Sequence, residues 1–110
     1  MIYQPALSET KRAAIDEFVR ELMKRYGERV KRVILFGSVA RGDIHSESDI
    51  DVLIIGSLTL DDVIGISYPI LLKYGELISP HIMSEEHYSM LKSRNSGFIK
   101  SVEREGIVLV

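Results

Sequence analysis

The sequence predicts an α/β (α+β) protein, a small sheet with helices packed on it, and three observations carry that prediction. Residues 33–36 (Val33-Ile34-Leu35-Phe36) and 50–55 contain two short, nearly continuous apolar runs, the pattern of strands covered on both faces. Residues 8–26 repeat Ile15, Phe18, Val19, Leu22, Met23 and Tyr26 in the i, i+3, i+4 rhythm of an amphipathic helix. Beyond residue 56 the chain alternates further helical patterns with short strand-like runs.

Each element has its own punctuation. Residues 1–7, with Pro5, read as a lead-in; Ser8 or Thr10 caps the first helix and Gly27 ends it. The two apolar strands follow, joined by a polar turn over 38–48 in which Asp43, His45 and Glu47 are expected at the surface. Thr59 with Asp61 and Asp62 marks a helix start, with acids in the first turn. That helix runs to about Tyr74 with Val63, Ile64, Ile66, Ile70 and Leu71 largely buried, and Gly65 and Pro69 predict a kink or a late start near Tyr68. Leu77–Met83 reads as a third strand, placed at an edge or bulge by Pro80, which has no N–H for a central ladder. Ser84 caps a helix from Glu85 to about Lys92. A further helix over 96–105 turns Phe98, Ile99 and Val102 inward, and Ile107–Val110 forms a last short strand.

At 110 residues the chain suits one domain, 1–110, with a single core. Hydrophobic residues make up 45% and charged residues 27%, a globular rather than disordered composition. The absence of cysteine excludes a disulfide framework and a thiolate metal site, and fits a cytoplasmic protein. No apolar run approaches the ~18 residues of a membrane span. The net charge of −2 lacks the basic excess of a strong nucleic-acid binder. The one basic cluster, Lys24, Arg25, Arg29, Lys31 and Arg32, flanks the far end of the first strand, roughly 16 Å from Gly37, and reads as a solvated face.

Folding alone does not explain the stretch 33–55, VILFGSVARGDIHSESDIDVLII. Asp49 and Asp51 open a buried strand two positions apart, so both carboxylates point to one face about 6–7 Å apart. Two anions so placed repel each other and lose hydration, and a hard divalent cation such as Mg²⁺ relieves both while leaving positions open for phosphate oxygens. Capping the turn or pairing with Arg41 is the structural alternative. If the two strands pair antiparallel, Gly37-Ser38 faces the Asp pair. Gly37 then admits a ligand to the backbone, and Ser38 opens a short helix to Arg41 that offers N–H groups and a hydroxyl to a phosphate. Gly37 to Gly42 has the outer spacing of a Walker A loop, but Asp43 stands where that motif needs Lys and its Ser/Thr is missing.

Gly-Ser, then Asp-x-Asp at this distance between two buried strands, resembles the signature of the polymerase-β-type nucleotidyltransferase superfamily, in particular its minimal nucleotidyltransferase (MNT) branch. Gly37, Ser38, Asp49 and Asp51 match directly, and Arg41-Gly42 and Ser48 fit the branch. The resemblance implies a polymerase-β-like core with a small mixed sheet, and a nucleotide site formed by Gly37, Ser38, Arg41 and Ser48. It also implies one or two Mg²⁺ on Asp49 and Asp51, and ATP or another NTP as substrate. A third carboxylate on a following strand usually assists the acceptor hydroxyl. Here the equivalent positions hold Ser79 or His81, and Glu76 is the nearest acid that can serve as base or third ligand. The branch commonly supplies the antitoxin of a toxin–antitoxin pair whose toxin is a helical HEPN-domain RNase, and some members transfer AMP to a hydroxyl of that toxin. A HEPN-domain partner in a hetero-oligomer, or a homo-oligomer, is therefore expected. The competing expectation is a binding antitoxin that neutralises its partner by contact.

Overall fold

The computed structural model describes residues 8–42 and 48–110. The lead-in 1–7 and the turn residues Asp43, His45 and Glu47 lie outside the described residues. Helix α1 spans Glu9–Tyr26, and the Ser8 side chain accepts from the Lys11 backbone N–H as its N-cap. A tight turn at Gly27–Arg29 leads into strand β1, Val30–Phe36. The short helix α2, Gly37–Arg41, precedes β2, Ile50–Gly56. Helix α3, Leu60–Tyr74, starts on a capping box in which Thr59 and Asp62 bond reciprocally. Strand β3, Ile78–Met83, helices α4, Glu85–Ser93, and α5, Gly97–Glu105, and strand β4, Ile107–Val108, complete the chain.

The sheet order is β3-β2-β1-β4. β1 runs antiparallel to β2 and β4, whereas β2 and β3 are parallel and joined by α3 as crossover. Strand alternation divides the core in two. Val33, Leu35, Ile50, Val52, Ile54 and Ile78 face α1 and α3, packing with Phe18, Leu22, Val63, Ile66 and Ile70. Ile34, Leu53 and Ile55 point the opposite way, onto Tyr88 of α4 and Ile99 and Val102 of α5. Burial on both faces explains why β1 and β2 read as unbroken apolar runs.

Pro80 occupies the predicted edge. The Ile50 N–H donates to the Leu77 carbonyl at 2.9 Å, so alternation turns the backbone groups of Ile78, Pro80 and Ile82 away from β2, and the missing N–H costs no ladder bond. Three expectations are corrected. α3 is a single helix from Leu60 through Pro69, without a late start, because Pro69 lies on the exposed face and Val63, Ile66 and Ile70 anchor the buried one. Ile64 is exposed, one step off that buried stripe. Phe98 is likewise substantially exposed and meets Phe36 and His81 edge-on at the end of α5, while Ile99 and Val102 do turn inward. Among the described residues, no helix is long and apolar enough to cross a membrane.

Candidate active site

The antiparallel register of β1 and β2 pairs Phe36 with Asp51. The next residue, Gly37, turns the chain into α2 with φ +77°, a left-handed conformation that side chains rarely adopt. A β-carbon at this position would collide with Asp51 Oδ2 and lie 3.3 Å from Asp51 Cβ and Cγ. The backbone at Gly37 and the Asp51 carboxylate are therefore packed directly together. The predicted juxtaposition is thus present for Gly37 and the second Asp of the pair.

Asp49 and Asp51 lie on the same side of β2 as Leu53 and Ile55, the side of α4 and α5. Asp49 is exposed and Asp51 half-buried. Burial raises the Asp51 carboxyl above the ordinary aspartate value, and the negative charge of Asp49 adds to the rise; the neighbouring His81 and Arg41 oppose it. His81 Nε2 lies 3.9 Å from Asp51 Oδ1, and its ring meets Phe36 with centroids 5.2 Å apart. An aromatic wall of Phe36, His81 and Phe98 thus stands beside the carboxylate. Of the two positions where sequence reasoning placed the missing third acid, Ser79 is in register with Asp51 on β3, and His81, two residues on, brings its ring to the carboxylate.

Glu76 is not brought to the Asp pair. Its carboxylate turns to α1, where Oε1 accepts from Lys11 Nζ at 2.6 Å and Oε2 accepts from Thr10 Oγ1 at 2.7 Å. With both oxygens engaged and the residue buried, Glu76 is a counter-ion for Lys11 rather than an open base or ligand. Lys11 was missed by sequence reasoning. Its side chain is 1% exposed, and Nζ also donates to the Ser48 carbonyl at 2.8 Å. One buried ammonium therefore ties α1 to the residue that leads into Asp49. Arg41 Nη1 approaches Glu105 Oε2 of α5 at 3.5 Å, and its positive charge opposes the rise at Asp51.

A pair of strand carboxylates on one face, one of them lifted by burial, fits one hard cation that keeps open positions. Among the described residues no group of three or more His, Cys, Asp or Glu gathers into a closed metal cage.

This strand–Gly-Ser–strand seam defines a class. The chain belongs to the nucleotidyltransferase domain family, whose model matches residues 15–105, and it is a nucleotidyltransferase. It is 48% identical to "Putative protein adenylyltransferase MJ0604" of Methanocaldococcus jannaschii, over 87% of this chain and 94% of that one. A solved structure described as "Structure of putative minimal nucleotidyltransferase" superposes with a TM-score of 0.57 at 31% identity, covering 90% of this chain and 92% of that one. A second, "Crystal structure of the toxin-antitoxin with AMP-PNP", gives a TM-score of 0.55 at 20% identity over 84% of this chain and 70% of that one, a likeness of fold. The fold is thus that of a minimal nucleotidyltransferase.

Proposed function

We propose that this protein transfers a nucleoside monophosphate, AMP from ATP, to a hydroxyl group of a partner protein, and that the partner is a HEPN-domain toxin for which it is the antitoxin. The observation that carries the reading is the contact between Gly37 and Asp51. It sets a side-chain-free stretch of backbone against one of two carboxylates on one strand face. The name of the M. jannaschii relative supports adenylyl transfer to protein, and the toxin–antitoxin structure with AMP-PNP supports a toxin partner and an adenine nucleotide.

In this reading Gly37 lets the β- and γ-phosphates approach the backbone, and the Ser38 hydroxyl donates to a phosphate oxygen. Asp49 and Asp51 are the ligands for Mg²⁺, which supplies charge neutralisation at the α-phosphate and orients the triphosphate when bound. Arg41 adds positive charge at the rim, and Lys11 holds Ser48 so that Asp49 enters β2 at a fixed place. The acceptor oxygen forms a bond to the α-phosphorus, the bond from that phosphorus to the β-bridging oxygen breaks, and pyrophosphate leaves while the hydroxyl proton is released.

One observation favours a second reading, a binding antitoxin without transfer. On β3, Ser79 lies in register with Asp51 and the His81 side chain reaches it at 3.9 Å, neither of them a carboxylate, and Glu76 is committed to Lys11. The two readings part on the fate of the phosphates. Incubating the protein with its partner and ATP labelled at either the α- or the γ-phosphate should leave only the α-label on the partner. A tight complex that acquires neither label would favour the second reading.

A further inference from the structure

Helix α3 buries Val63, Ile66 and Ile70 against the sheet, yet its outward face is apolar as well. Leu60, Ile64, Tyr68 and Leu72 are 52%, 43%, 56% and 69% exposed, and they follow one another at intervals of four along a single ridge. The adjacent row, Asp61, Gly65, Pro69 and Lys73, is exposed throughout. Gly65 and Pro69 carry no long side chain, and a β-carbon placed on Gly65 would meet nothing within 4 Å. Along one helix, then, a ridge of four large apolar side chains borders a shallow groove with an acid at one end and a base at the other. A helix that faces water carries polar residues outward, so this surface is that of a helix with a partner.

We propose that the partner is a second copy of this chain, packed α3 on α3, antiparallel, about a two-fold axis near residue 66. A two-fold interface must be complementary to itself. Reversing α3 about that point exchanges Leu60 with Leu72 and Ile64 with Tyr68. It lays the ridge of each copy in the groove of the other, the packing of i±4 ridges into i±4 grooves. The charges select the direction. The antiparallel arrangement brings Asp61 of each copy toward Lys73 of the other at both ends, whereas a parallel one sets like charges together. Lys73 pairs with Glu17 of its own chain at 2.8 Å, yet its side chain is 60% exposed and so remains open to an acid from the other copy. Pairing through the β3 edge is disfavoured by Pro80, and the other edge, β4, is only two residues long.

The ridge from residue 60 to 72 is about 18 Å long. Beside it a cleft of about 370 Å³ lined by Leu60, Ile64, Tyr68, Leu77 and Pro80 widens the contact. Such a surface is at the small end of specific interfaces, which makes the dimer reversible and concentration-dependent. α3 covers the opposite face of the sheet from α4 and α5, so both candidate active sites stay open in the dimer. The dimer does not depend on the transfer reaction.

Sedimentation velocity of the full chain over a rising concentration series tests this directly, and a shift from monomer to dimer is expected. Gly65→Leu fills the groove at a position that is open in the monomer and replaces a poor helix former. It should maintain or raise Tm while weakening association roughly tenfold or more. Asp61→Lys alone should weaken the dimer, and Asp61→Lys with Lys73→Asp should restore it. A chain that stays monomeric at every concentration overturns the proposal. So does a dimer that survives Gly65→Leu, or a helix of some other protein that occupies this face while the chain itself remains monomeric.

Discussion

Lys11 is the residue on which the local order of the site turns. A lysine in the first turns of an amphipathic helix reads as solvated, and its partner Glu76 lies 65 positions away, so nothing in the spacing announces the pair. Removing one partner of a buried pair leaves an uncompensated charge. Lys11→Met should therefore lower stability by about 3–5 kcal/mol in chemical denaturation, and Lys11→Met with Glu76→Leu should recover much of that loss. The link to Ser48 adds a second expectation. The folded Lys11→Met variant should need more divalent cation for half-maximal transfer, whereas an equally destabilised core variant such as Ile70→Ala should not. Asp51 works in the other direction. Burial raises its carboxyl in the folded state, so the native protein holds that proton more tightly than the unfolded chain. Stability is lost as pH rises from the ordinary aspartate range through the raised value, and the cost is fully present above it. Asp51→Asn should consequently raise Tm at neutral pH, converge with the wild type in acid, and abolish transfer. Thermal scans across pH set beside the activity assay check both halves.

Register and edges decide the element scale. The pairing of Phe36 with Asp51 sets Gly37 on the carboxylate, and the left-handed φ at Gly37 leaves no strain-free alternative. Gly37→Ala should cost about 1–3 kcal/mol and displace Asp51, with transfer falling further than the Tm change accounts for. Pro80 keeps the β3 edge from pairing with another strand. Pro80→Val should change Tm little but promote aggregation on storage, measurable by light scattering. The strands, the caps at Ser8, Thr59 and Ser84, and the edge position of Pro80 were all legible, because burial on two faces, capping and a missing N–H each leave a local mark. Ile64 and Phe98 were misplaced for one reason. An apolar residue beside a buried stripe reads as core, although in the fold Ile64 faces outward on α3 and Phe98 forms part of the aromatic wall beside Asp51.

For the whole molecule, one sheet separates two tasks. The α1/α3 side holds most of the core and presents the apolar ridge outward, while the α4/α5 side carries Asp49, Asp51 and the aromatic wall. The packing of Gly37 against Asp51 was readable in advance because their spacing spans a single hairpin-like return of the chain. The approach of His81 to Asp51 depends on the parallel pairing of β2 with β3 through α3, and the diversion of Glu76 depends on the docking of α1. Neither long-range contact leaves a local mark. The central claim is that the seam between Gly37-Ser38 and Asp49/Asp51 is where a nucleotide is transferred to a partner. The most direct test is the intact mass of the proposed HEPN-domain partner, purified and incubated with this protein, ATP and Mg²⁺. A mass gain of one AMP that disappears with Asp49→Asn and Asp51→Asn is the predicted result. An unchanged mass beside full neutralisation of the partner by the double variant would contradict the claim.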